Sequence, residues 1–500
     1  MVFNSFQFLI FFPIVVALYF ALPFRFRQFF LLAAGYYFYM CFKPEYVIIL
    51  AASTVIDYFL GLRIDACPTH AGKKRLLVLG LIHNTGLLAV LKYLDFFSQS
   101  IDALLKPFNI LSGLKGLELI VPIGISYYTF KKISYLIDVY RETRKPEKQL
   151  PTFALYVSFF PEIMAGPIDR AGALIPQFHK ETGFDYQRVT AGLKLMAWGF
   201  FKKLVIADRL AAFVDKVYGH PTHYEGLSLV AATIYFSFQV YCDFSGYTDI
   251  ARGAGKVLGF DLAQNFDRPY FSRSIGEFWK RWHISLSNWL MDYLFLPIAY
   301  SISRHLKRPQ LLNIKAETWA YMTGILSTML LCGLWHGASW TFVTWGFCHG
   351  LFLAVSFATK RTRKKIRKTL GLKKNSLLRN SFQVILTFSL VTFAWIFFRA
   401  GTMSDAIYII THLFSGWSKV LSLHGFLGAL HFGLLKKELA VALISICFMI
   451  LVQLLRKEHA FEQMIAKQKT VIRWSFYLVI ILWLIVFGDA GAENFIYFRF

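Results

Sequence analysis

The chain is short of charge. Only 17% of its 500 residues are Asp, Glu, Lys or Arg, where a soluble chain averages about 25%. No stretch is polar for long enough to form a separate soluble domain. The six cysteines, Cys41, Cys67, Cys242, Cys332, Cys348 and Cys447, are scattered. With no C-x-x-C and no zinc-like cluster, neither a disulfide framework nor a metal site is indicated. There is no G-x-S-x-G, no phosphate-binding loop and no dinucleotide fingerprint, so no motif supplies a serine nucleophile or a nucleotide cradle. No internal repeat is visible, which withholds support from a transporter built on inverted repeats. The first apolar run, about Phe6 to Leu22, lacks a basic start and an A-x-A site. It reads as a first span and not as a removed signal peptide.

What the chain does have is apolar surface, with 56% hydrophobic residues in runs long enough to cross a bilayer from end to end. This predicts an all-α polytopic membrane protein of roughly 11–13 segments, counting re-entrant or in-plane helices. The net charge of +25 does not point to nucleic acid, because the basic residues sit in short loops between apolar runs. The densest is Lys360 to Lys374. Such loops set orientation, with the basic side cytoplasmic, and can also meet anionic headgroups.

Orientation is self-consistent. Arg25 and Arg27 follow the first span and place the N-terminus outside. Spans follow at about Phe29–Phe42, Tyr46–Leu62, Leu76–Leu94 and Leu117–Val139, with basic loops on one side throughout. Residues 150–210 carry Pro151, Pro161, Gly166, Pro167 and Pro176 in apolar surroundings and suggest short or re-entrant segments. A span at 226–246 is followed by a mixed stretch, 247–300, that reads as an in-plane amphipathic helix at the interface. Spans at 319–335, 341–358, Phe382–Phe398, Leu439–Leu455 and Trp474–Phe487 then leave the C-terminus outside. One integral membrane domain is expected. About 1–145 would be N-terminal spans, 146–358 the catalytic core, and 359–500 the C-terminal spans with an aromatic tail.

His336 stands out within Cys332-Gly-Leu-Trp-His-Gly-Ala-Ser-Trp340. It sits in an apolar run among Gly333, Gly337 and Ser339, where the run can turn. An ionisable side chain at membrane depth is costly and is by default a functional candidate. An imidazole with its ordinary pKa near 6.5 suits general-base work. The plainer reading is a satisfied histidine at a hairpin tip. His283, in Trp282-His-Ile-Ser-Leu-Ser287, is the second candidate, against the plainer reading of a headgroup-facing residue. His349 reads as structural. The glycines of Ser245-Gly-Tyr-Thr-Asp-Ile-Ala-Arg-Gly-Ala-Gly255 fit close ligand approach or small-residue helix packing equally well. The tail, Asn494-Phe-Ile-Tyr-Phe-Arg-Phe500, is either an interfacial aromatic anchor or a segment folded back into an outward cavity. In the second case it would present the Tyr497 hydroxyl as an acyl carrier.

Six strings in order resemble those of the membrane-bound O-acyltransferase family: Phe159-Phe-Pro-Glu-Ile-Met-Ala-Gly-Pro-Ile168, Gly246-Tyr-Thr-Asp-Ile250, Asn265-Phe-Asp-Arg-Pro-Tyr270, Phe278-Trp-Lys-Arg-Trp-His-Ile-Ser-Leu-Ser287, Gly333-Leu-Trp-His-Gly-Ala-Ser-Trp340 and the aromatic end. The branch most similar is that of bacterial alginate and peptidoglycan O-acetyltransferase membrane subunits, with the teichoic-acid D-alanylation subunit as a cousin. The resemblance implies a ring of tilted helices with a thinned centre, a cytoplasmic tunnel and an outward funnel. It implies catalytic roles for His336 and His283, and an acyl-carrier role for Tyr497. Trp335, Trp282, Ser285 and Asn265, which lie within these motifs, become the substrate-binding candidates. It further implies no bound cofactor, acetyl-CoA or another acyl thioester as donor, and a bacterial inner-membrane location. The partners implied are membrane lipid, a periplasmic SGNH-type acetyltransferase and an extracytoplasmic glycan as final acceptor. Two departures stand out: Met291 replaces an arginine, and Ala299-Tyr300 replaces a glycine pair. A lipid-modifying acyltransferase of the same superfamily remains an alternative. So does a transporter without covalent chemistry, for which Asp57, Asp138 and Asp243 would be the intramembrane charges.

Overall fold

The computed structural model describes residues 1–108, 121–305, 310–311, 314–369, 376–420, 422–432, 435–455, 468–488 and 495. Among these the protein is helical apart from one hairpin of two-residue strands, β1 (Gln310–Leu311) and β2 (Ile314–Lys315). Among the described residues seven helical stretches are long and apolar enough to cross a membrane. The sequence expectation was larger because it also counted shorter segments and the 319–335 run, whose helix Ala316–His336 is 21 residues long but is not one of the seven. The chain forms two compact units, one of Met1–Met196 with Tyr247–Gln264, the other of Ala197–Gly246 with Asn265–Phe500.

The first unit contains α1 (Phe6–Ala21), α2 (Phe24–Met40), α3 (Glu45–Ala66), α4 (His70–Leu88), α5 (Leu94–Leu105), α6 (Ile125–Tyr140), α7 (Leu150–Ser158), α8 (Ala171–Phe178) and most of α9 (Tyr186–Phe200). The Ser5 hydroxyl caps α1 by accepting the Phe8 N–H, which satisfies one of the orphan donors of a helix start. Pro151 lies in the first turn of α7, where its missing N–H costs nothing. Pro161 and Pro167 fall in the non-helical stretch between α7 and α8, so the expected break in 150–210 is present. Two neighbouring lysines of α6 take separate buried carboxylates. Lys131 Nζ lies 2.6 Å from Glu162 and Lys132 Nζ 3.1 Å from Asp57. Asn84 also donates to Asp57 at 2.8 Å. Removing one partner of such a pair leaves an uncompensated buried charge, a cost of about 3–5 kcal/mol.

The second unit carries α10 (Asp208–Gly219), α12 (Ile275–Trp279), α13 (Ile284–Leu290), α14 (Leu296–His305), α15 (Ala316–His336), α16 (Trp340–Ala358), α17 (Lys360–Thr369), α18 (Leu377–Arg399), α19 (Met403–His412), α20 (Leu423–His431), α21 (Lys436–Leu455) and α22 (Thr470–Phe487). Helix α11 (Leu227–Leu258) contributes its first part to this unit and its last part to the other. It runs twelve residues past the expected end at 246, and the stretch read as one in-plane amphipathic helix is instead the end of α11, a loop and the short α12–α14. The polar residues that ended the expected span are accommodated, with Thr248 buried and Asp249 3.8 Å from Arg252. Met291, the departure from the family pattern, opens a π-helical turn, Met291–Phe295, and is exposed.

Candidate active site

The hairpin of α15 and α16 is closed by glycine. A Cβ on Gly333 would lie 2.3 Å from the Phe342 carbonyl oxygen, and one on Gly346 2.2 Å from that of Met329. No side chain fits there, so the backbones meet directly, as small-residue crossings in membranes allow. His336 is the last residue of α15, and Ser339 caps α16 by accepting the Thr341 N–H. The expected turn at His336 is therefore where the sequence placed it.

His336 is buried, 4% exposed, among aromatic rings. Trp335 lies 4.8 Å away, Trp345 4.9 Å and Phe398 5.3 Å between ring centroids, all steeply inclined to the imidazole. Trp345 in turn stacks on Trp395 at 5.7 Å and 17°. These walls exclude water from the ring, which strengthens any electrostatic interaction made there.

His283 is held differently. It caps α13 in left-handed backbone, φ +43° and ψ +55°. Asn265 Oδ1 accepts the Ser285 backbone N–H at 3.1 Å and the Ser285 hydroxyl at 2.8 Å, and lies 3.1 Å from His283 Nδ1. The backbone donor fixes which end of the Asn265 amide is oxygen, and that oxygen can only accept. Nδ1 of His283 must therefore carry the proton, leaving Nε2 as the basic nitrogen. The Ile284 N–H donates to the Asn265 carbonyl and the Asp267 N–H to the Arg281 carbonyl, both at 2.9 Å, which pins the Asn265 loop to the His283 loop. Complete burial pushes the His283 pKa down to about 3. The ring is uncharged near neutrality because desolvation disfavours the imidazolium.

Both histidines touch one indole. Trp335 lies 6.2 Å from His283 as well as 4.8 Å from His336. Trp335 thus links His336 to His283, and the hydrogen bonds of His283 continue the chain to Asn265 and Ser285. Trp282 has a different setting. It is buried, stacked on Phe278 at 5.5 Å and packed at 5.0 Å on Phe266 and 5.1 Å on Trp395. Tyr497 lies outside the described residues. Its neighbour Phe495 is described, is buried, and lies 5.9 Å from Phe244, whose ring is 4.7 Å from His283. Trp345, Trp395 and Phe398 were not singled out from the sequence. Trp345 lies in the second turn of α16, nine residues after His336, and aromatic residues in an apolar helix give no signal of which ring they face. Among the described residues no group of three or more His, Cys, Asp or Glu is placed to hold a metal.

The membrane-bound O-acyltransferase family model matches residues 140–400. The chain is 36% identical over 417 residues to the probable alginate O-acetylase AlgI of Pseudomonas aeruginosa, covering 83% of this chain and 75% of that protein. It is 33% identical over 392 residues to the peptidoglycan O-acetyltransferase of Helicobacter pylori, covering 73% and 69%. With the teichoic acid D-alanyltransferase of Streptococcus thermophilus it shares 27% identity over 302 residues, covering 57% and 69%.

Proposed function

Because the chain belongs to the membrane-bound O-acyltransferase family and is an acyltransferase of the membrane, we propose that it moves an acetyl group from a cytoplasmic thioester, acetyl-CoA, toward hydroxyls of an extracytoplasmic polysaccharide. The relatives named above for an acetyl transfer are each named for a glycan, which favours a glycan acceptor over a lipid. The observation that carries the mechanism is the buried pair of histidines around Trp335.

In this reading the Tyr497 hydroxyl attacks the thioester carbonyl carbon while His336 takes its proton. The C–S bond breaks, and the departing thiolate recovers that proton from His336. The acetyl group leaves as a tyrosyl ester and passes to a periplasmic acetyltransferase of the SGNH type. Exchanging a thioester for an aryl ester keeps most of the activation, so positioning matters more than driving force. His283, locked by Asn265 and Ser285, orients the donor or assists the transfer, with Trp335 against it. The protein resides in the bacterial inner membrane with both termini outside. The packing of Phe495 on Phe244, beside His283, supports a tail folded toward this site.

The test is the intact mass of the C-terminal peptide after incubating the purified protein with acetyl-CoA, run beside His336→Ala and Tyr497→Phe. An acetyl adduct in wild type and in neither variant is expected. Turnover of acetyl-CoA that needs His336 but leaves no adduct would remove the tyrosine carrier. Absence of both would sink the reading.

A further inference from the structure

His349 has no part in the transfer described above, yet its surroundings are specific. It is fully buried on α16. Its Nδ1 accepts the indole N–H of Trp279 at 3.3 Å. An indole can only donate, so the ring proton of His349 sits on Nε2. That Nε2 has no hydrogen-bond partner among the described residues. A phenylalanine would fill the same space but would leave the buried Trp279 indole N–H without its acceptor, and an unpaired buried donor costs free energy. The imidazole therefore does something here that a phenyl ring cannot: it holds the Trp279 indole by a directional bond.

What it touches suggests the use. Trp345, one turn earlier on α16, lies 4.9 Å from His349 at 67° and 5.9 Å from Trp279. The same indole stands 4.9 Å from His336 at 87°. Trp345 is thus bounded by His336, by the Trp279–His349 pair and by its stack on Trp395. Trp345 is the ring nearest His349, ahead of Trp279 at 5.2 Å, Phe278 and Phe352 at 6.1 Å and Trp395 at 6.3 Å. The bond from Trp279 fixes the orientation of the His349 ring against Trp345.

We propose that His349 is a positioning residue for His336, acting through the Trp345 indole, with Trp279 holding His349 in the required tautomer. The proposal rests on the reading of His336 as the base. Trp345 cannot turn or slide without opening space beside His336, and a reactive group displaced by even an ångström loses on the order of 100-fold in rate.

The experiment measures thiol release from acetyl-CoA by the purified full chain, with kcat and KM separated and the thermal midpoint recorded for each variant. His349→Phe keeps the volume and removes the acceptor, Trp279→Phe keeps a ring and removes the donor, and His349→Asn restores an acceptor near the Nδ1 position. The expected result is a kcat lowered about 10- to 100-fold in both phenylalanine variants, with KM for acetyl-CoA unchanged. The double variant should be no slower than either single, and His349→Asn should recover part of the loss. Unchanged kcat in the folded His349→Phe protein would overturn the proposal, as would a double variant in which the two losses multiply. A purely structural role would move the thermal midpoint and leave kcat per folded molecule intact, which also overturns it. His336→Ala is run alongside. If wild type shows no release that depends on His336, the function reading itself fails, an outcome distinct from a His336-dependent activity that ignores His349.

Discussion

His283 and His336 share the Trp335 indole and are both buried, but they are held by different forces. His283 is fixed by directional hydrogen bonds from a loop, through an oxygen that also takes two donors from Ser285. His336 is fixed at a helix end by ring contacts and by a glycine crossing that brings two helices into backbone contact. The first arrangement dictates a tautomer and therefore which nitrogen can act. The second sets the plane and position of the ring. A fixed tautomer suits a group that orients a substrate, whereas a group that gains and loses a proton needs a fixed position without a bond that commits it to one tautomer. The largest expected effect separates the two. His336→Ala should lower thiol release from acetyl-CoA by about 10²–10⁴-fold, the usual worth of a general base. His283→Asn, which keeps a donor for Asn265, should cost less. Equal losses in steady-state kinetics would erase the distinction.

The next effect breaks the hydrogen-bonded side alone. Asn265→Ala removes the acceptor shared by His283 and Ser285 and leaves their buried donors unpaired. At about 1 kcal/mol or more for each lost bond, roughly 3 kcal/mol of local stability should disappear. Thermal unfolding in detergent and turnover should both show it, since the His283 tautomer is then unconstrained. An unaffected Asn265→Ala protein would mean that the left-handed backbone, and not the side-chain contacts, holds His283.

A somewhat smaller effect should come from the other side. Gly346→Ala places a methyl 2.2 Å from the Met329 carbonyl oxygen. Overpacking of this kind costs about 1–3 kcal/mol. It should push α15 from α16 and disturb Trp345 and His336 together, while the Asn265–His283 contacts, on other elements, persist. Scanning calorimetry with turnover measured in parallel checks this. If Gly346→Ala is silent in both, the crossing is not what sets the position of His336.

The two histidines also differ in how far the sequence disclosed them. The His336 turn was legible because its determinants are local: Gly333, Gly337 and Ser339 lie within four residues of it, and the apolar run is too long for one span. The helices around it, α15 and α16, fall within three residues of the ends expected for spans at 319–335 and 341–358. The hold on His283 was not legible, because Asn265 lies eighteen residues upstream and only the folded loop shows which side chain it meets. Trp282, read with its neighbours as an interfacial ring, is instead buried in a cluster of aromatics. Composition cannot tell an aromatic belt from an aromatic core. The far end of α11 was missed for a related reason. Hydropathy registers Asp249 and Arg252 as polar, whereas the helix pairs them and continues.

The smallest effect concerns protons at the hydrogen-bonded histidine. In the unfolded chain His283 titrates at its ordinary pKa of about 6.5, and in the folded protein burial holds it near 3. Between those values the unfolded state binds a proton that the folded state refuses. Stability from this group is therefore fully present above about pH 6.5 and falls as the pH drops toward 3, by at most about 1.4 kcal/mol per pH unit. His283→Asn has no such group, keeps a donor for the Asn265 oxygen, and tolerates the positive φ better than most residues. The thermal midpoint of wild type should therefore fall more steeply than that of the variant between pH 7 and pH 5. Parallel curves would show that the His283 imidazole accepts its proton in the folded protein. Its pocket would then be wet, and hydration as well as geometry would separate it from the aromatic walls of His336.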